Sequence, residues 1–373
     1  MHDGRSVDQV EIDRTHMRRA LDLAARGWGR TAPNPLVGAV VVSPGGDVVG
    51  EGYHAWFGGP HAERVALEQA GSSARGGTLY VTLEPCAHFG KTPPCAPAVI
   101  DAGIARAVVA VRDPNPAAAG GVDHLRAAGV VVDTGLEADA ARELNAAFLH
   151  ATASDRPWIT LKLAVSLDGA IADAGRHRGW LTGPSARAEV HRMRAAQDAI
   201  AVGLGTVRAD DPDLTVRDAP QPRVAPIRVV FDSAFQTPPT SRLVTTARDV
   251  PTMIVGRDAT AAGYDLLRDA GVDVLVAPDL PRALRMLRAR DIRSLMVEGG
   301  ARLAGSFLRA AAIDRLVIFQ APVVLGAGAL PAFAFAPPAD TLSLHRLRVV
   351  ERRTLDDDVK TTYALQELGS VAT

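Results

Sequence analysis

Apolar positions along this chain follow two different patterns on either side of a short polar break. Before it, a helix-like stretch from Asp13 to Arg26 leads into two strand-like runs about the Gly45-Gly46 pair. A helix is predicted to begin near His61 and to carry both His61 and Glu63 in its first turn. A strand at Thr78 to Leu83, a helix from Cys95 to Ala102 and a strand at Ala107 to Val111 follow, with Cys86 just past the first strand. Ala138 to Leu149 has helix-forming composition, with Leu144 and Phe148 four apart on one face. The sum is an α/β sandwich. Helix starts at His61 and Cys95 favour the carboxylate and thiolate forms of the groups presented there.

The break is the small, polar segment Ala151 to Pro157, read as a linker with the boundary near His150 to Pro157. Beyond it a strand-like run spans Trp158 to Leu167, and further strand-like runs fall at Ile227 to Phe231, Thr252 to Val255, Val272 to Ala277, Ser294 to Val297 and Leu316 to Phe319. Helical patterns at Tyr264 to Ala270, Leu280 to Arg290 and Ala301 to Ala311 alternate with them. Such alternation predicts a largely parallel sheet covered on both faces. His345 to Arg353 and Thr361 to Leu365, around Asp356-Asp357-Asp358, read as an antiparallel hairpin added at one edge. No repeats or low-complexity segments interrupt the pattern.

Candidate chemistry gathers in the first part. His61, Cys86 and Cys95 use both cysteines of the chain. One imidazole and two thiolates supply three zinc ligands and leave a fourth tetrahedral position for water, as in catalytic sites. Glu63, two residues from the first ligand, can accept a proton from that water and return it to a leaving amine. This is the His-x-Glu and Pro-Cys pattern of zinc-dependent base deaminases, except that Ala87 to Pro94 separate the two cysteines. The insertion sets His88 and Lys91 beside the metal, where an anionic or carbonyl-bearing substrate can be held. Either cysteine alone would read as inert packing. Their order with His61 and Glu63 argues otherwise.

In the second part no complete dinucleotide fingerprint occurs. Gly203-Leu204-Gly205-Thr206 has two of the three glycines and reads equally well as a tight strand exit. Gly299-Gly300, between a strand and a helix, is better placed to turn backbone amides toward a phosphate.

The runs Gly29 to Gly38, His61-Ala62-Glu63, Thr82 to Cys86, Gly90 to Cys95 and Asp113-Pro114-Asn115-Pro116 resemble the deaminase half of the bifunctional riboflavin biosynthesis deaminase/reductase family. Lys162 to Gly169, Trp180-Leu181-Thr182, Asp210 to Arg217 and Val297 to Gly305 are similar to its reductase half, so the resemblance covers nearly the whole chain. It implies a cytidine-deaminase-like three-layer α/β/α domain at residues 1–150 and a dihydrofolate-reductase-like α/β domain at 151–373. The implied reactions are deamination of 2,5-diamino-6-(5-phosphoribosylamino)pyrimidin-4-one, with Asn34, His88 and Lys91 orienting the substrate, and NADPH reduction of the ribosyl chain to ribityl. Implied cofactor contacts are Ala164, Trp180, Thr206, Asp210, Ser233, Gly300, Ala301, Arg302, Leu303, Ala304, Gly305 and Ser306. The implied substrate contacts of the reductase are Lys162, Arg194, Leu214, Arg217 and Glu298. Lys162 reads equally as a strand residue whose stem lies on apolar surface. Arg217 suits bidentate phosphate contact. Arg178 stands where the family has a small hydroxyl residue, and is expected to grip the substrate phosphate from a new direction, the alternative being that it obstructs the ribosyl chain and impairs or retargets the reductase. A homo-oligomer, dimer or tetramer, is also implied.

Composition bounds these readings. A chain of 373 residues, 47% hydrophobic, suffices for two cores. A net charge of −1 gives no concentrated basic face for nucleic acid, which weakens the alternative of a nucleic-acid base deaminase. A non-catalytic, zinc-stabilised binding protein would have no use for Glu63. With both cysteines assigned to metal, none remains for a disulfide, which suits a reducing cytosol. Met1 to Arg14 lacks a signal-like apolar run, and no run of about 20 apolar residues occurs. The expectation is a soluble, cytoplasmic enzyme for a small molecule.

Overall fold

The computed structural model describes residues 7–89, 93–116, 118–177, 179–334 and 347–365. The chain divides into two compact units between Thr152 and Ala153.

The first unit opens with α1 (Val7–Ala25) and the hairpin β1 (Gly38–Val42) and β2 (Val48–Tyr53). It continues through α2 (Ala62–Ala70), β3 (Thr78–Val81), α3 (Cys95–Asp101), β4 (Arg106–Val109), α4 (Gly121–Ala127), β5 (Val131–Thr134), α5 (Ala138–Leu144) and α6 (Ala146–Ala153). Among the described residues the sheet runs β2-β1-β3-β4-β5. The β1 pairings with β2 and β3 are antiparallel, and those of β4 with β3 and β5 are parallel. Side chains of a strand point alternately to its two faces. Here Ala39, Val41, Leu79, Val81, Ala107 and Val109 pack with apolar residues of α2, α3 and α4. The intervening Val40, Val42, Tyr80 and Val108 pack with α1 and Ala141 of α5. Both faces are therefore covered, which makes three layers.

Three local expectations are corrected. The first helix starts at Val7, well before Asp13. Asp13 is a buried residue inside it, taking Arg106 Nη1 and Nη2 at 2.9 and 2.6 Å and Tyr80 O–H at 2.7 Å. His61 is the N-cap of α2 rather than a residue of its first turn. The helix read as continuous from Ala138 to Leu149 breaks at Asn145, whose side chain is spent on the backbone of Leu36. The second piece, α6, extends to Ala153, into the segment read as linker.

The second unit comprises β6 (Trp158–Val165), β7 (Ala170–Ala172), α7 (Pro184–Arg194), β8 (Ala199–Gly203), α8 (Leu204–Asp210), β9 (Ile227–Phe231), α9 (Arg242–Thr245), β10 (Thr252–Gly256), α10 (Gly263–Asp269), β11 (Asp273–Val276), α11 (Leu280–Arg288), β12 (Ser294–Val297), α12 (Ala301–Arg309), β13 (Arg315–Gln320), β14 (Leu330–Pro331), β15 (Arg348–Leu355) and β16 (Asp358–Ala364). The sheet order is β11-β10-β9-β8-β12-β6-β13-β16-β15. It is parallel from β11 to β13, and the closing hairpin adds antiparallel at the β13 edge. Alternate residues of the strands bury against α11 and α12 on one side and against α7 to α10 on the other. From β8 the chain proceeds outward through β9, β10 and β11, then returns to place β12 on the opposite side of β8. The carboxyl ends of β8 and β12 thus flank a switch point, where open α/β sheets bind ligands.

Candidate active sites

In the first unit the loop after β3 and the starts of two helices converge. His61 Nδ1 lies 3.6 Å from Cys86 Sγ and 3.3 Å from Cys95 Sγ. All three candidate ligand atoms fall within 4.8 Å of one another. At the start of α3 the amides of Cys95 and Ala96 both donate to Cys86 O at 3.1 Å, and Cys95 N also reaches Cys86 Sγ at 3.4 Å. The orphan donors of a helix start thereby fix the other cysteine and favour its thiolate. The contact with Cys95, joined by His61, holds Cys86 down to about 4 against the opposing effect of burial, while the same contact pushes the Cys95 thiol up. Soft sulfur and imidazole donors in this number fit zinc with one position open.

Glu63, in the first turn of α2, is buried beside these ligands. Burial raises its pKa, so it readily holds a proton. Glu84 has a different task. Its carboxylate accepts from the amides of Asp113, Gly120 and Val122 at 3.0, 3.2 and 2.8 Å, tying the loop after β4 to the strand end that carries Cys86. That loop passes so close that a Cβ on Gly121 would lie 1.7 Å from Pro85 O, hence the glycine.

Around the metal site, Asn34 Nδ2 lies 3.2 Å from His54 Nε2, and His54 Nδ1 lies 3.1 Å from Pro60 O. A carbonyl can only accept, so Nδ1 carries the ring proton and Nε2 accepts from Asn34. Burial lowers the His54 pKa, consistent with a neutral ring. The ring meets that of His61 edge-on, with centroids 5.6 Å apart. His88 is exposed at the rim, and Lys91 lies outside the described residues.

In the second unit a cavity of about 1080 Å³ opens at the switch point. Gly203 N donates to Gly299 O at 3.3 Å, and Gly300 N donates to Thr206 Oγ1 at 3.0 Å, so the exits of β8 and β12 are stitched together. Gly299 has φ +88, which a side chain would strain. Trp180, Thr206, Asp210, Ser233, Gly300, Ala301, Arg302, Leu303 and Ser306 line the cavity. Ala304 and Gly305 are buried instead, and Ala164 packs against the core under α7. Arg178 lies outside the described residues.

Beside the β12 exit, Arg194 forms a bidentate pair with Glu298 at 2.5 and 2.8 Å and donates to Thr215 O at 2.8 Å. Burial pushes Glu298 up, but Arg194 and Lys162 outweigh it and hold the carboxyl below its ordinary range. Lys162 lies with its Nζ 5.6 Å from the Phe319 ring centroid, and burial lowers its pKa. Leu214 is buried in the core with φ +51. Arg217 is paired with Asp213 at 2.9 Å, and its amide donates to His191 Nδ1 at 3.1 Å.

Comparison with known proteins now bears on these two sites. Residues 10–111 match the model of the cytidine and deoxycytidylate deaminase zinc-binding region, and residues 157–361 that of the RibD C-terminal domain. The riboflavin biosynthesis protein RibD of Aquifex aeolicus is 45% identical over 321 residues, 85% of this chain and 89% of that protein. Its counterpart in Haemophilus influenzae is 40% identical over 370 residues, 94% and 97% of the two chains. The chain belongs to the bifunctional riboflavin biosynthesis deaminase/reductase family. A solved Thermotoga maritima diaminohydroxyphosphoribosylaminopyrimidine deaminase/5-amino-6-(5-phosphoribosylamino)uracil reductase is 35% identical, covers 95% of this chain and 99% of its own, and has a TM-score of 0.83. A riboflavin-pathway enzyme with a zinc-binding deaminase unit and an NADPH-dependent reductase unit is thereby established. Among the described residues no helix is long and apolar enough to cross a membrane.

His54, Glu84 and Asn145 are structural partners of the site to which no motif in the sequence gives a role. His54 stands seven residues before His61 and Glu84 two before Cys86, so proximity to the ligands was an available signal. Asn145 gave none, because its partner is 109 positions away.

Proposed function

We propose that the first unit deaminates 2,5-diamino-6-(5-phosphoribosylamino)pyrimidin-4-one and that the second reduces the ribosyl chain of the product. The convergence of His61, Cys86 and Cys95 beside buried Glu63 carries this reading. His61, Cys86 and Cys95 would hold zinc, which lowers the pKa of a coordinated water so that a nucleophile is available near neutral pH. Glu63 takes the proton of the attacking water and delivers it to the departing amine, so that water enters and ammonia leaves. Asn34, kept in place by His54, orients the pyrimidine, and His88 and Lys91 serve the phosphoribosyl arm.

In the second unit the cavity wall formed by Thr206, Asp210, Ser233, Gly300, Ala301, Arg302, Leu303 and Ser306 would hold NADPH, the source of the hydride. Arg194 and Glu298 pair beside the β12 exit, and Lys162, which acts on Glu298 electrostatically, is the proposed source of the proton that reaches the ring oxygen as the ribose opens to ribityl. Arg217 and Arg178 are the phosphate contacts of this reading. The chain is read as a cytoplasmic homo-oligomer.

The test supplies the phosphoribosylaminopyrimidine with NADPH and follows ammonia release and loss of nicotinamide absorbance together. Equal amounts of ammonia and oxidised cofactor are expected. Ammonia release without NADPH consumption would sink the reductase reading, and the absence of both would sink the substrate.

A further inference from the structure

Beyond the switch point the cavity continues along the carboxyl ends of the outer strands, past Asp232 and Ser233 after β9, Arg257 after β10 and Asp279 before α11. Arg257 N donates to Ser233 O at 3.0 Å, so the two residues are fixed side by side. The nearby carboxylates are already committed. Asp232 accepts from Thr237 N and Oγ1 at 2.6 and 2.8 Å, and Asp279 caps α11 through Arg282 N at 2.7 Å. Arg208, on α8, donates to Gln236 O and Oε1 at 3.3 and 3.2 Å. Arg257 differs: it is exposed to the cavity, and among the described residues its guanidinium has no hydrogen bond or ion pair.

An unpaired guanidinium in the same cavity as the neighbouring Ser233 is a station for a dianion. Its position decides which one. The stitched glycines at the ends of β8 and β12 suit a pyrophosphate. Arg257 sits two strands further out, about 10 Å away at the usual interstrand spacing, a gap that an adenosine ribose bridges. In dinucleotide sites an arginine at the ribose accommodates the 2′-phosphate.

We infer that Arg257, with Ser233, reads the 2′-phosphate of NADPH and sets the preference for NADPH over NADH. This rests on the reading of the cavity as the cofactor site. NADH offers Arg257 nothing and leaves it in water, so its affinity does not depend on this residue.

Titration calorimetry of the full-length protein with NADPH and with NADH separates the possibilities. Loss of a charge-assisted contact predicts that Arg257→Gln weakens NADPH binding about tenfold to a hundredfold, with NADH binding unchanged within about twofold. Unchanged NADH binding also shows that the variant is folded. Ser233→Ala should lose less in the same direction, and Arg257→Lys should keep part of the preference. Added salt should narrow the NADPH advantage of the parent and leave Arg257→Gln nearly insensitive. If Arg257→Gln binds both dinucleotides as the parent does, or loses both equally, the assignment of Arg257 falls while the cofactor site stands. If the parent binds neither dinucleotide, both readings fall.

Discussion

Asn145 holds Leu36 by both ends of its amide: Oδ1 accepts from Leu36 N and Nδ2 donates to Leu36 O, each at 2.8 Å. The α5–α6 junction is therefore bolted to the loop that carries Asn34, two residues earlier, and through Asn34 to His54. Both residues of the clamp are buried, so nothing else within the fold satisfies those groups once the amide is gone.

Asn145→Ala is expected to leave two buried backbone groups of Leu36 unpaired, at a cost of about 1–3 kcal/mol each. Asn145→Asp keeps the acceptor but turns an oxygen toward Leu36 O, and should be at least as harmful. The deaminase KM should rise while NADPH affinity stays at the parent value. A melting temperature and KM equal to the parent's in Asn145→Ala would remove the clamp from the argument.

Chelation should separate the two activities. Ammonia release is expected to stop when zinc is stripped and to return on its re-addition, while NADPH binding persists throughout, because the candidate ligands and the cavity belong to different units. Cys86→Ser should behave as the stripped protein does. Metal analysis finding a full zinc complement in the Cys86→Ser, Cys95→Ser double variant would contradict the ligand set.

The contrast between these two residues shows what was legible in the chain. Cys86 belongs to a signature in which each residue type is demanded by the metal, so its partners could be named from residue types and their order along the chain. Asn145 sits in a stretch whose composition favours helix, and its partner Leu36 lies 109 positions away, beyond the reach of any local pattern. The same limit hid β8, whose short run Ala199–Gly203 reads as little more than small residues until β9 and β12 flank it. Gly203 and Gly205 read ambiguously for that reason. Periodicity found most of the outer parallel strands of the second unit, whose ends lie within a residue or so of the observed ones, since strands buried on both faces are continuous apolar runs.

Glu63→Gln should retain zinc and lose deamination by about a hundredfold to ten-thousandfold, the usual share of a general acid/base. The amide preserves shape and removes the proton exchange. Deamination within a factor of a few of the parent would assign the proton to another group.

Asp13 predicts an acid limb for the stability of the first unit. Burial pushes its carboxyl up, but Arg106, Tyr80 and Gln9 outweigh that and bring it down to about 2 from 3.8. A depressed folded value means stability that is present above the unfolded value and is lost as pH falls toward the folded one. Denaturant midpoints should therefore drop between about pH 4 and pH 2, and Asp13→Asn should flatten that slope while lowering stability at neutral pH. A parent-like slope in Asp13→Asn would show that other carboxyls carry the acid limb.

Lys162 is the expected proton source of the reductase. The charged groups acting on it are Glu298 after β12, which favours its ammonium, and Arg194 at the end of α7, which with burial disfavours it. A step that needs the ammonium is supported below the Lys162 pKa and lost above it, so Lys162 sets a basic limb in the pH profile of reductase kcat/KM. Glu298→Gln removes the favourable charge, lowers the Lys162 pKa further and should move that limb to lower pH. Arg194→Met removes the unfavourable charge and leaves Glu298 to Lys162 alone, so the limb should move to higher pH, though the broken pair also costs stability. Opposite displacements from the two partners of one salt bridge cannot come from a shared loss of folding. If both variants lower kcat/KM without moving the basic limb, the Arg194–Glu298 pair only builds the cleft, and the proton comes from solvent or from the substrate itself.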